Sequence, residues 1–305
     1  MNYFDWRGEK IPHFVLGAAQ LGMNYGIANK IGQPNQEEAF SILDEAAKNG
    51  VTMIDTAQAY GNSESVIGQW IKANNNNCPF NIISKWHSDV DINDEVQLKL
   101  SVRASVQILG GPLWGMMIHD EKWLDQFDII AQVAKDLKKE GVLKYLGASV
   151  YSVEAAKKAL LMDGIDFIQV PCNIWSQNVM QDGVISMTKK LNKLCFVRSV
   201  FLQGLLLMDE SEIEMRLPHA KKAGVEWNRI SKELGISKEK LSLQFGLSLN
   251  CPLVIGVYSS EQLSKNMEFL ETSPLDGHLI KEIRVRMQPL LDEKITSPQT
   301  WGGHF

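Results

Sequence analysis

Apolar residues in this chain fall into short unbroken runs, separated by longer stretches in which they recur with helical spacing. Strands are predicted over 13–17, 51–55, 80–85, 113–119, 143–149, 167–171, 194–199 and 253–257. Helices are predicted between and after them, over 37–48, 63–72, 95–109, 123–139, 153–161, 179–193, 225–234 and 260–271. The strands are apolar throughout instead of alternating, which is expected when both faces of a parallel sheet are covered. Eight strand–helix repeats in one chain favour a closed (β/α)8 barrel, an α/β fold, over an open doubly wound sheet. Turn chemistry agrees: Gly50, Gly141 and Gly164 follow helices, where positive φ is needed, and Ser63 and Ser152 precede helices as N-caps do. The segment 205–224 reads as the one long irregular loop. With no Pro-, Gly- or Ser-rich linker, residues 1–305 read as a single barrel domain with a C-terminal tail.

Composition narrows the partners. The chain has 305 residues, 45% of them hydrophobic, enough for a full core. Lys and Arg number 31 against 36 Asp and Glu, a net charge of −5 with no basic stripe, so nucleic acid is not an expected partner. The longest apolar runs, such as Leu113–Ile118, fall far short of the roughly 18 residues a bilayer span needs. The start of the chain carries no secretory signal pattern, and a cytoplasmic protein is expected. The four cysteines, Cys78, Cys172, Cys195 and Cys251, lack metal-type spacing and read as reduced structural residues. His87 and Asp89 read as a polar loop, and no metal is assigned.

In a barrel of this kind, chemistry sits at the C-terminal ends of the strands. Asp55 ends the second predicted strand and Tyr60 follows it, Lys85 ends the third, and His119 ends the fourth. Each has an ordinary structural explanation when taken alone. On three adjacent strands at one barrel face they converge, and a catalytic reading becomes the favoured one. Lys85 would lower the pKa of the Tyr60 phenol, Asp55 would hold Lys85 as an ion pair, and His119 would orient a substrate oxygen. None of the four supplies a hydride, so the set implies a nicotinamide cofactor.

The sequence resembles the aldo-keto reductase superfamily over nearly its whole length. Ile54-Asp55-Thr56-Ala57, Tyr60-Gly61 and Glu64 look like its D-T-A-x-x-Y-G-x-S-E signature, Ser84-Lys85-Trp86 like its lysine strand, and Ile118-His119-Asp120 like its histidine strand. The resemblance implies Tyr60 as proton donor, with Asp55, Lys85 and His119 completing a tetrad. It implies that Ser149 and Gln169 meet the nicotinamide carboxamide, with Val150 standing where an Asn is common. Arg198, Ser199 and Gly204 match the seventh-strand segment under the cofactor, Arg198 standing where many members have a stacking Tyr. Gly256, Gln262 and Asn266 match the segment that binds the adenosine phosphate. The resemblance implies NADPH as the cofactor; Gln262 stands where some members have an Arg that reads the 2′-phosphate, which weakens that preference and leaves NADH open.

The run Gly17-Ala18-Ala19-Gln20-Leu21-Gly22-Met23-Asn24-Tyr25-Gly26-Ile27-Ala28-Asn29 is similar to a bacterial subgroup linked to sugar and surface-polysaccharide metabolism. Substrate contacts are expected from Tyr25, Trp86 and the tail from Trp301 to Phe305 folding over the mouth. The leading expectation is reduction of a small-molecule aldehyde or ketone, a sugar derivative among the candidates, by a monomer or small homo-oligomer. Two alternatives stay open: a sugar-nucleotide isomerase, mutase or epimerase with bound NAD(P), and a cofactor-sensing regulatory subunit on the same barrel.

Overall fold

The computed structural model describes residues 3–301. Its ten strands are β1 (Tyr3–Trp6), β2 (Glu9–Pro12), β3 (Phe14–Gly17), β4 (Met53–Asp55), β5 (Asn81–Lys85), β6 (Leu113–Ile118), β7 (Leu143–Ser149), β8 (Phe167–Pro171), β9 (Leu194–Arg198) and β10 (Leu253–Gly256). β3 to β10 close into a barrel in sequence order, β10 returning to β3, and every pair in it is parallel. This is the (β/α)8 barrel that the apolar runs predict.

Alternation inside the barrel sets up the site. Met53, Ile83, Phe167 and Phe196 belong to one apolar cluster that fills the barrel's lower interior. Two residues further along the same strands, on the same side of the pleat, stand Asp55, Lys85, Gln169 and Arg198. The barrel is therefore packed with carbon below and crowned with polar groups above. Gly147 makes room for this packing: a Cβ there would lie 2.4 Å from the Phe167 ring.

β1 and β2 form an antiparallel hairpin that sequence reading missed, with Trp6 opposite Glu9. Its two-residue turn, Arg7-Gly8, has φ of 50° and 82°, the pair of positive values that a tight hairpin favours. The hairpin covers the lower end, where Trp6 packs against Trp114 and Tyr145 at ring-centroid distances of 6.1 and 4.9 Å.

Three expectations need correction. The segment 205–224 is ordered: it holds the helix Glu210–Arg216, whose N-terminus Asp209 and Glu212 close as a capping box, and the start of the helix Lys221–Leu234. The helix predicted over 179–193 is split into Asn178–Gln181 and Val184–Lys190 by Gly183 at φ 76°. Ser63 is not an N-cap; its Oγ donates to the Ala18 carbonyl at 2.8 Å and accepts from Thr56 Oγ1 at 2.9 Å. Ser152 does cap its helix, accepting from the Ala155 amide. Gly50, Gly141 and Gly164 all have positive φ. No helix among the described residues is long and apolar enough to cross a membrane.

Candidate active site

Asp55 and Lys85 end adjacent strands and are buried together. Lys85 Nζ donates to Asp55 Oδ2 at 2.7 Å and to the Thr56 carbonyl at 2.8 Å. The other carboxylate oxygen, Oδ1, accepts from Gln169 Nε2 at 2.8 Å, a bond that crosses the barrel from β8. Burial pulls the Lys85 ammonium below its ordinary pKa, and the Asp55 charge pushes back. A buried ion pair of this kind survives because both charges are hydrogen-bonded.

Tyr60 sits on the turn after β4. Its carbonyl accepts from the Ser63 amide at 3.0 Å, and the backbone of Gly22 lies against it so closely that a Cβ on Gly22 would fall 1.9 Å from that carbonyl. Lys85 Nζ lies 4.7 Å from the Tyr60 ring centroid. The His119 ring meets Tyr60 edge-on, with centroids 5.9 Å apart at 84°. All four candidate residues are thus brought together.

The electrostatics differ from the expectation in one respect. The Tyr60 phenol is held well above its ordinary range, first by burial and then by the Asp55 charge. Lys85 faces the ring, yet the net shift of the hydroxyl is upward. Burial, with Lys85 and Arg198 nearby, lowers His119 to about 3. At neutral pH the site therefore presents a protonated phenol and a neutral imidazole.

Sequence reading missed a second carboxylate behind this set. Glu64 is buried and accepts from Ser84 Oγ at 2.6 Å and Ser105 Oγ at 3.1 Å. Gln58 bridges Ser105 and the His87 amide, at 3.0 Å each. Glu64 belongs to the quoted signature, yet spacing alone does not reveal that it braces the strand carrying Lys85.

A narrow groove runs from this set towards the end of β10. Arg198, Ser199, Gly204, Gly256 and Gln262 line it together with Asp55, Tyr60 and Tyr25. The residues after β9 are backbone-strained: Ser199, Leu202 and Gln203 have φ of 61°, 47° and 54°, and Gly204 has 90°. At Gly256 a Cβ would fall 2.1 Å from the Gln20 amide, so close approach of backbone is built in. Gln262 Oε1 accepts from the Tyr258 amide at 2.9 Å, and the Tyr258 hydroxyl donates to the Tyr25 carbonyl at 2.9 Å. Ser149, Gln169 and Asn266 are buried. Gln169 Oε1, Arg198 Nη2 and both amide atoms of Asn266 have no hydrogen-bond partner. Native interiors seldom tolerate such orphans; Arg198 lines the groove itself, Gln169 is bonded to Asp55 on its wall, and Asn266 lies one turn beyond Gln262 on the helix Ser260–Leu270.

The expected substrate contacts divide. Tyr25 lines this groove and also a larger cavity of about 860 Å3 beyond Arg198. Trp86 does not reach the mouth: it is fully buried and its Nε1 donates to the Leu98 carbonyl at 3.3 Å. Because Lys85 faces the barrel interior, the next residue must face the helices. Trp301 Nε1 donates to the Lys294 carbonyl at 2.9 Å, and the rest of the tail lies outside the described residues. The four cysteines are free, and burial pushes the Cys172 thiol up to about 12, far from a nucleophile's range.

Residues 13–285 match the model of the aldo/keto reductase family. The chain is similar to the aldo-keto reductase str7 of Strobilurus tenacellus, with 28% identity over 51% of this chain and 46% of that protein. It is also similar to the uncharacterized oxidoreductase YqkF of Bacillus subtilis, with 22% identity over 82% of this chain and 87% of that protein. The chain spans about half the length of the first relatives it matches. In fold it is similar to the glycerol dehydrogenase AKR11B4 from Gluconobacter oxydans, with a TM-score of 0.73 at 17% identity, covering 95% of this chain and 96% of that one. Barrel, polar crown and family model agree, and the chain belongs to the aldo/keto reductase family.

Proposed function

We propose that this protein reduces an aldehyde or ketone to an alcohol with a nicotinamide cofactor, Tyr60 supplying the proton. The observation that carries this reading is the meeting of a buried Asp55–Lys85 pair with Tyr60 and His119 at the mouth of the barrel. When bound, the cofactor supplies a hydride to the carbonyl carbon. Arg198, Ser199, Gly204, Gly256, Gln262 and Asn266 would hold it, with Ser149 and Gln169 at its carboxamide, and the unpartnered atoms of Gln169, Arg198 and Asn266 support that assignment. NADPH is the expected form, with NADH open to Gln262.

His119, neutral at working pH, donates an N–H to the carbonyl oxygen and draws off the charge that builds there. Tyr60 passes its proton to that oxygen. An alkoxide is a far stronger base than a phenolate, so the transfer runs downhill even though burial raises the phenol. The phenolate left behind faces the Lys85 ammonium, which Asp55 keeps charged and in place.

The test follows NADPH absorbance with 4-nitrobenzaldehyde. Tyr60→Phe is expected to lower kcat by roughly 10²–10⁴, with NADPH binding, measured by fluorescence titration, unchanged. Turnover at the parent rate in Tyr60→Phe overturns the assignment.

A further inference from the structure

The cavity of about 860 Å3 is separate from the groove but shares Tyr25, Arg198, Ser199 and Gln203 with it. It lies between the segment after β8 and the chain's last turns, from Arg284 to Gln299. Tyr25 and Arg198 line both spaces, so the cavity adjoins the groove that Tyr60 lines, and a molecule whose carbonyl lies at Tyr60 would enter it past Arg198.

The lining decides what kind of group belongs there. Among the described residues it presents five carboxylates, Glu154 and Asp292 among them, against two guanidiniums, Arg198 and Arg284. Arg198 is further engaged with the Tyr151 ring, 4.2 Å from its centroid. A phosphate or carboxylate would meet net repulsion, which argues against a nucleotide tail. Two buried residues on the wall are incompletely satisfied: Trp175 Nε1 has nothing to donate to, and Gln177 Oε1 accepts from nothing. A cation answers only the acceptor and an anion only the donor, whereas a hydroxyl answers both. The rings of Tyr25 and Tyr151 on the same wall add apolar faces suited to a carbon skeleton bearing such hydroxyls.

We propose that this cavity binds an uncharged, hydroxyl-rich portion of the substrate, remote from the reacting carbonyl. The proposal rests on the reductase reading above for its orientation towards Tyr60. It assigns Trp175 and Gln177 to substrate recognition.

The experiment compares three aldehydes that share one ring: 4-methoxybenzaldehyde, 4-formylphenyl β-D-glucoside and 4-formylphenyl phosphate. The wild-type protein is expected to favour the glucoside over the methoxy compound in kcat/KM by at least about tenfold, and to disfavour the phosphate. Trp175→Phe breaks no hydrogen bond of the free protein and keeps the edge-on contact with Trp227. It should cut the glucoside preference about fivefold, leaving 4-methoxybenzaldehyde within about twofold. Gln288→Leu, an exposed position on the same wall, gives a second variant that cannot fail through core packing. Quenching of tryptophan fluorescence by methyl β-D-glucoside, with NADPH present, reads the cavity without turnover. Binding there in a protein that reduces none of the three aldehydes sinks the reductase reading and leaves this one standing. A preference for the phosphate, no advantage for the glucoside, or a preference untouched by both variants overturns it.

Discussion

Two carboxylates, one at each end of the barrel, make different uses of similar surroundings. At the lower end Glu9 accepts from Trp114 Nε1 at 2.6 Å, from the Tyr145 hydroxyl, and from Lys144 Nζ at 2.7 Å. Partial burial works against its charge, but these donors hold its pKa below the ordinary value. Trp114 and Tyr145 are packed into the aromatic plug and face nothing that turns over. At the mouth, Asp55 likewise satisfies both oxygens, through Lys85 and Gln169. Here each partner keeps something in reserve: Lys85 lies over the Tyr60 ring, and Gln169 retains an unpartnered oxygen. The lower network ends in itself and stabilises. The upper one is left open towards a ligand, which is how a site on a rigid scaffold differs from a piece of the scaffold.

Removing the cation at the mouth is the strongest way to break this comparison. Lys85→Met leaves Asp55 buried without its counter-charge, at a cost of about 3–5 kcal/mol. Urea unfolding should show that loss, and Asp55→Asn in the Lys85→Met background should restore more than half of it, because two neutral groups no longer strand a charge. Reductase activity should stay lost in both. A Lys85→Met protein as stable as its parent contradicts the buried pair.

The lower network gives a smaller effect with the opposite signature. Glu9→Ala strands the Trp114 N–H and the Tyr145 hydroxyl, costing about 1–3 kcal/mol. NADPH binding and kcat should be unchanged, since Glu9 lies at the far end of the barrel. A change in NADPH affinity would show that the two ends are coupled.

How much of this was legible depended on where each signal came from. The eight barrel strands were readable because burial on both faces leaves continuous apolar runs, and the polar residue ending several of them marked the mouth. The helix Lys238–Ser248 was not readable: Leu241, Ser242, Leu243, Phe245, Gly246 and Leu247 are buried almost all round it, which erases the 3.6-residue period. The helix Glu210–Arg216 did carry a signal, Asp209 three residues before Glu212, that loop-like surroundings masked. Trp86 was misplaced because its neighbour Lys85 drew it to the mouth, when strand alternation sends it the other way. The unpartnered atoms of Gln169, Trp175 and Asn266 were beyond sequence altogether, since a residue type says nothing of which of its atoms are answered.

His119 offers the finest test, because only its environment separates it from an ordinary histidine. Its folded-state pKa, about 3, lies below the usual value near 6.5. Between these two values the unfolded chain takes up a proton that the folded protein refuses. Stability is therefore complete above about pH 6.5 and declines as the pH falls towards 3. With the ring mostly but not fully buried, solvent screening reduces the penalty, and about 1 kcal/mol should be lost between pH 7 and 5. His13 is also lowered by burial and contributes in the same direction, so the informative quantity is the difference between wild type and His119→Asn. That difference should close as the pH falls, and kcat/KM should show no imidazolium limb between about pH 6 and 8. A limb near 6.5 that disappears in His119→Asn would mean that the ring is charged when it works, and the upper network would then carry a second cation beside Lys85.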